Sequence, residues 1–356
     1  MKSGLKTKNR IKAFLLFLIF FIGASAFSQE ENVPVSGKTE FNASEFILEH
    51  IADSHEWHIL TTKKGAIAIP LPVILYTKEK GISIFSSEKL AHGSIYKGFK
   101  LEEEGQLKGK IVVVNDKNEV DEENLPLDFS ITKAIAAMLC AALIGLFLFI
   151  SMARSYKKSG VSAPKGIQSF LEPVILFVRD DIAIPNIGLH KYERYMPYLL
   201  TAFFFILINN LMGLIPFPPP FGANVTGNIA VTFVLASFTF LITQFSGNKA
   251  HWRHVFATPG VPFWLLPIMI PVELIGLVSK PFALMIRLFA NITAGHIIVL
   301  SLISLIFIFE SLAVAPVSIL FVIFMDCLEL LVAFLQAYVF TLLSALFISL
   351  AVQEHH

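Results

Sequence analysis

Hydrophobic and polar positions divide this chain into three materials. The first twelve residues carry Lys2, Lys6, Lys8, Arg10 and Lys12, and an apolar run from Ala13 to Gly23 follows. Ala24-Ser25-Ala26 then supplies a small-x-small cleavage pattern, so residues 1–26 are expected to be a secretory signal peptide cut after Ala26. The rival reading is an uncleaved anchor running from Ala13 to about Phe27. Residues 27–129 are polar, with short apolar runs such as Ile67-Ala68-Ile69 and Ile111-Val112-Val113-Val114, and with breaks at Gly81, Gly93 and Gly105. That pattern predicts a small β-rich domain, exported if the signal acts.

From Ile131 the chain turns apolar. A first membrane span is predicted over Ile131 to Ala153, followed by Arg154, Lys157, Lys158 and Lys165. A connector over residues 164–192 carries Pro164, Pro173 and Pro185 and reads as a surface segment with amphipathic character. The second span is expected from about Met196 to Ile215, and the third from about Thr226 to Gln244, ahead of Lys249, His251, Arg253 and His254. Both basic clusters mark a cytoplasmic side by the positive-inside rule, which agrees with an exported N-terminal domain and a cytoplasmic C-terminus.

The last two stretches are too long for upright spans. Val261 to Phe309 would reach about 73 Å as helix and Pro316 to Val352 about 55 Å, against a hydrocarbon core about 30 Å thick. Neither holds a polar loop that could split it. Two long, strongly tilted helices are therefore predicted, joined around Glu310 to Ala315, with a possible break near Pro281. The fold class is an all-α polytopic membrane protein of about five membrane helical segments over residues 130–356, preceded by a small exported β-rich domain.

Composition strengthens the membrane reading. Hydrophobic residues make up 55% and charged residues 15%, where soluble domains carry about a quarter. The net charge of +1 offers no case for nucleic acid. Cys140 and Cys327 lie inside apolar runs and read as small buried hydrophobes. His50, Asp53, His55, Glu56 and His58 could suggest a metal site, but a helix starting near Ser44 would scatter them. A solvated interfacial helix is the expected reading, with no metal and no cofactor.

The chemistry lies in polar groups placed where lipid should exclude them: Glu273, Lys280, Arg287, Asn291, His296, Asp326, Glu329 and Gln336. A charge at mid-membrane costs on the order of 3 kcal/mol on the most lenient scale, so such groups normally line a pathway or pair with one another. Lys280 can snorkel to the interface. Arg287 has apolar residues for more than a turn on either side. Arg287 and Asn291 share a helix face that Gly295 continues, whereas His296 points about half a turn away. Glu329 and Gln336, seven apart, share a face of the final helix. A carboxylate and an imidazole can relay protons near neutral pH, while a guanidinium stays protonated.

Three motifs then carry a resemblance. Ser279 to His296 contains Arg-Leu-Phe, then Asn291 and Gly295; Leu335-Gln336-Ala337-Tyr338-Val339-Phe340 lies on the last helix; Asn210 to Pro216 ends the second span, with Asn224-Val225-Thr226 opening the next. Over about residues 130–356 the chain resembles subunit a, the proton-channel subunit of the bacterial F-type ATP synthase membrane sector.

The resemblance implies proton translocation through two offset half-channels at the rotor ring of c subunits, coupled to rotary ATP synthesis, with no catalytic chemistry in this subunit. Arg287 matches the essential arginine facing the rotor, with Asn291 and Gln336 as its polar neighbours. Glu273 matches an acidic half-channel group, and His296 and Glu329 a pair of one basic and one acidic residue. Asn210 and Asn224 match polar residues of the non-cytoplasmic half-channel. The implied partners are the c ring, the b-subunit peripheral stalk, the rest of the ATP synthase and membrane lipid, in the bacterial inner membrane. One departure is Gly213, where some members carry an acid; the long N-terminal domain is another.

A secondary proton- or cation-coupled transporter with an exported domain is the alternative. It would call for internal repeats, and the two long stretches differ in motif and length. An intramembrane hydrolase would need a nucleophile and base at suitable spacing, and the apolar half has no such pair.

Overall fold

A computed structural model describes residues 42–62, 65–102, 105–115, 120–121, 124–159, 166–215, 219–256, 262–309 and 314–352. The signal segment and its cleavage site lie outside these residues, as do residues 310–313 of the joint between the two long stretches. The chain forms two compact units, residues 1–139 with 212–223, and residues 140–211 with 224–356.

The first unit begins with α1 (Ala43–Ile51), after which the backbone turns extended. Strand β1 (Glu56–Thr62) pairs antiparallel with β2 (Gly65–Pro70). The helix expected to run on through His58 therefore stops at Ile51, because the Trp-His-Ile-Leu-Thr-Thr run gains a ladder partner in Ala66–Ile69. Strand β3 (Pro72–Thr77) pairs with β4 (Gly81–Ser86) through a short turn closed by Gly81 at φ 66°. A separate pair joins β5 (Phe99–Leu101) to β6 (Ile111–Val113), and β7 (Leu127–Asp128) adds to the free edge of β3. Alternation along β3 and β4 buries Val73, Leu75 and Phe85 against Leu90, Phe99 and Ile111, which form the core of this unit.

This unit also holds the start of the first membrane helix, α2 (Lys133–Ser159). Asp53 caps it: one carboxylate oxygen accepts the Ala134 N–H at 3.0 Å and the other the Thr132 hydroxyl at 2.7 Å. The Lys133 N–H donates to the Ser54 carbonyl at 2.8 Å. Nearby, His55 Nε2 lies 2.9 Å from Asp128 Oδ2, and Ser130 N–H donates to Asp128 Oδ1. Burial opposes ionisation of Asp128, but the hydrogen bonds from His55 and Ser130 prevail and hold its carboxyl below the usual value. Two members of the suspected metal cluster thus have structural partners, and Glu56 and His58 stand on β1.

The second unit is helical. After α2 come α3 (Ile167–Phe177), a π-helical turn over Val178–Ala183, and the single turn α4 (Ile184–Ile187). The connector is therefore mostly helix. Then follow α5 (Tyr192–Leu214), α6 (Ile229–Ser246), the short α7 (Lys249–Phe256), α8 (Leu266–Ile308) and α9 (Ala315–Val352). Among the described residues five helices, α2, α5, α6, α8 and α9, are long and apolar enough to cross a membrane. At 43 and 38 residues, α8 and α9 reach about 65 and 57 Å, roughly twice the hydrocarbon thickness.

The possible break near Pro281 is absent: α8 is continuous through both Pro271 and Pro281. Membrane helices tolerate proline where side chains and neighbouring helices supply donors to freed carbonyls. The Ser279 hydroxyl donates to the Gly276 carbonyl at 3.1 Å in the turn before Pro281, while the carbonyl that this proline frees is that of Leu277.

The core of this unit gathers Ile182, Leu199, Phe203, Ile206, Leu284, Leu288, Phe340 and Ile348. Small and hydroxylated residues let helices approach, and their polar atoms are internally satisfied. Tyr198 Oη lies 2.6 Å from Thr239 Oγ1, which lies 3.2 Å from Ser344 Oγ, a chain across α5, α6 and α9. Ser318 at the start of α9 donates to the Leu302 carbonyl on α8.

Candidate functional site

The polar groups of the membrane helices fall into three settings. On α8, Arg287 and Asn291 lie one turn apart and both are exposed, beside exposed Ile286 and Ala290. Among the described residues Arg287 has no ion-pair partner. The opposite side of the same turns, Leu284, Met285 and Leu288, is buried in the core, which fixes the outward direction of the guanidinium. Gln336 on α9 is only 7% exposed, beside the fully buried Ala333 and Ala337.

Between α8 and α9 lies a closed setting. His296 Nδ1 stands 3.8 Å from Glu329 Oε1, an ion-pair distance too long for a hydrogen bond. The Glu329 carboxyl occupies the space left by Gly295. A Cβ at that position would come within 3.1 Å of the carboxyl carbon and 3.2 Å of Cγ, closer than such atoms normally pack. Glu329 Oε1 is buried with no hydrogen-bond partner among the described residues. Asp326, three positions earlier, shares the α9 face with Glu329.

The remaining polar groups sit at the helix ends. Asn210 is 2% exposed and fully engaged: its Oδ1 accepts from Thr226 Oγ1 at 2.6 Å and its Nδ2 donates to the Ala333 carbonyl at 3.1 Å. Asn224 does not meet Asn210. Its Oδ1 accepts the Gly227 N–H at 2.8 Å, forming the turn before α6, while its Nδ2 is buried without a partner. Thr293 on α8 donates to the Gly227 carbonyl at 3.4 Å, binding this turn to the long helix. At the other end, Glu273 Oε1 lies 2.9 Å from Nδ1 of His254 on α7, both partly exposed. Glu273, Lys280 and Arg287 recur every seven residues and so follow one side of α8.

The structure thus joins His296 to Glu329 and Asn210 to α9, and leaves Arg287 with Asn291 on an open face. Sequence reasoning missed three participants. Thr226 was seen only as the opening of a span, and His254 only as part of a basic cluster. Asp326 was seen as a polar intrusion without a role, although its three-residue spacing from Glu329 was the available signal. His251, three residues before His254, has its pKa lowered, first by burial and then by Lys280 and His254, with Glu273 opposing.

Apolar helices long enough to span a bilayer, with His296 and Glu329 set between two of them and Arg287 exposed on a flank, define a multi-pass membrane protein with ionisable groups inside its membrane helices. The family model "ATP synthase A chain" matches residues 135–349, more than half of the chain, and the chain belongs to that family. Residues 46–129 match a domain of unknown function (DUF8433). The chain is 52% identical over 234 residues to ATP synthase subunit a of Chloroherpeton thalassium, covering 64% of this chain and 69% of that protein. It is 52% identical over 231 residues to ATP synthase subunit a 2 of Chlorobaculum tepidum, covering 63% and 64%. Against ATP synthase subunit a of Myxococcus xanthus it is 49% identical over 239 residues, covering 65% and 76%. The chain thus spans about two thirds of the length of these relatives.

Proposed function

We propose that this chain conducts protons through two offset half-channels against a rotor ring of c subunits, coupling the proton gradient to rotary ATP synthesis in the bacterial inner membrane. The observation that carries the reading is Arg287: a cation in the middle of a 43-residue apolar helix, exposed, with no ion-pair partner among the described residues. An arginine left facing hydrocarbon costs several kcal/mol. A carboxylate arriving from a neighbouring subunit would remove that cost, and a proton on the same carboxylate would release it again.

His296 and Glu329 suit the delivery of protons, because an imidazole and a carboxylate are both proton carriers and they stand close enough to exchange one through a water molecule. Buried, unpartnered Glu329 Oε1 and Asn224 Nδ2 are the kind of atom that ordered water completes, which supports a wet route on the Asn210–Asn224 side. Glu273, two heptads from Arg287 and bonded to His254, would serve the other half-channel, on the side of Lys249 and Arg253. Asn291, one turn along α8, and Gln336 on α9 are assigned as the polar neighbours of the arginine. A permanently protonated guanidinium between the two routes blocks a direct leak. ATP chemistry belongs to other subunits, and this one holds no catalytic group of its own. In this reading residues 1–26 direct export, residues 27–129 form a periplasmic domain, residues 130–356 form the channel part, and the C-terminus is cytoplasmic. The b-subunit stalk and the c ring are its neighbours.

The test is ATP-driven proton pumping in membrane vesicles carrying Arg287→Lys, with c-ring co-purification as the assembly check. Lysine keeps the charge and loses the forked, permanently protonated group. The expected result is assembled complex without pumping; normal pumping would make this arginine structural and remove the mechanism.

A further inference from the structure

The N-terminal unit carries a feature that membrane conduction does not use. An antiparallel sheet with one buried face ordinarily turns polar side chains outward on the other. The β3–β4–β7 sheet does not. Its inner face is Val73, Leu75 and Phe85; its outer face is apolar as well. Register places Leu127, Tyr76 and Ile82 in one cross-strand row. Ile74 stands opposite Ile84, and the Phe129 N–H donates to the Ile74 carbonyl, which sets Phe129, Ile74 and Ile84 in a second row. In this grid Ile82 is 70% exposed, Ile84 64%, Phe129 64% and Leu127 58%. Contiguous apolar surface of this kind marks a contact with protein or membrane.

What distinguishes the two is where the grid stands. Phe129 precedes Lys133, the first residue of the α2 span, by four residues, at most about 14 Å of fully extended chain. The headgroup layer on each side of a bilayer is itself about 5–8 Å thick. No flexible linker intervenes. The Ile131 N–H donates to the Pro72 carbonyl, and Asp53 and Ser54 accept from Thr132, Lys133 and Ala134, so the sheet and the first turn of α2 are one hydrogen-bonded piece. Exposed apolar side chains continue from Leu125, Leu127 and Phe129 into Ile135 and Leu139 of the span. Tyr76, half exposed in the centre of its row, is a residue type enriched at the membrane–water boundary.

We infer that the outer face of the β3–β4–β7 sheet rests on the lipid bilayer surface, with Tyr76, Ile82, Ile84, Leu127 and Phe129 in the headgroup–acyl boundary, so that this domain is a membrane-surface foot for the first span. The inference is independent of the proton path.

The test uses the full chain with Cys140→Ser and Cys327→Ser, reconstituted in phosphatidylcholine liposomes, with an environment-sensitive fluorophore on Ile84→Cys. A second probe on Leu127→Cys guards against a local packing effect at the first. Glu79→Cys, on the exposed β3–β4 turn, is the aqueous control. Hydrogen exchange of the β3 and β4 amides confirms that the sheet is intact in each labelled protein. Lipids carrying a nitroxide near the headgroup are expected to reduce emission from positions 84 and 127 by roughly two-fold or more, as for side chains seated 5–10 Å into the interface, and to leave position 79 unchanged. Unquenched probes open to a water-soluble quencher would overturn the inference by showing a free face. Probes shielded from both quenchers would overturn it by showing a protein cover.

Discussion

The two flanks of α8 hold polar groups under opposite conditions. Toward α9, His296 meets Glu329 at 3.8 Å, and the carboxyl fills the hollow above Gly295. Toward the outside, Arg287 and Asn291 are exposed, and the arginine has no ion-pair partner among the described residues. The closed flank brings its two ionisable groups together inside the chain, and the open one leaves its cation exposed. A helix that buries Leu284 and Leu288 cannot turn to hide Arg287; in the function proposed above, a carboxylate from a neighbouring subunit is its partner. The Asn210–Thr226 and Asn210–Ala333 bonds are a third case, polar groups so fully satisfied that they serve packing as much as conduction.

This contrast can be attacked at its strongest point first. Replacing His296 or Glu329 singly should slow proton pumping about 100-fold, and exchanging them should restore part of it. Equal, additive losses in single, double and exchanged forms, measured in the same vesicles, would dissolve the pair. Next, Gly295→Val should displace the Glu329 carboxyl and cost pumping on the order of 10- to 100-fold, with Glu329→Asp recovering part because the shorter side chain withdraws from the new methyls. A Gly295→Val protein that pumps normally would mean the hollow has no positioning role.

Asn210→Leu probes the satisfied set. It removes both bonds and should lower resistance to detergent unfolding by about 1 kcal/mol, within the range of membrane hydrogen bonds. No change in stability together with a large loss of pumping would move Asn210 from packing to conduction.

The smallest effect lies outside the membrane. Because Asp128 titrates below its ordinary range in the fold, its contribution is present above the usual carboxylate pKa and is lost as pH falls through the lowered value. His55→Gln weakens what holds that charge, so acid loosening of the N-terminal unit, followed by Trp57 fluorescence, should begin at higher pH. An unshifted midpoint would remove the His55 bond from the account.

Chain length against bilayer thickness was enough to foretell α8 and α9, since no polar loop could divide them. The same reading set a possible break at Pro281, because proline disrupts helices in water; in the bilayer the helix has no solvated alternative, and it runs on. The helix expected through His58 gave way to β1 because its pairing partner, Ala66–Ile69, lies across a turn that local periodicity does not report. Arg287 and Asn291 were legible on one face from spacing alone. That Glu329 would reach Gly295, and that His254 would reach Glu273, depends on register between helices far apart in sequence, which no spacing rule supplies.

The length of α8 also governs how voltage is felt along it. A helix of about 65 Å confined to a 30 Å hydrocarbon layer leans about 60° from the membrane normal, so each residue gains only about 0.7 Å of depth. The backbone positions of Arg287 and His296, nine residues apart, then differ in depth by about 6 Å, near a fifth of the layer. Of the 2.3 kcal/mol that 100 mV exerts on a charge crossing the whole membrane, only about 0.5 kcal/mol falls between them. Separation along this helix is mostly lateral, so the charges spread along it sit in a nearly level field.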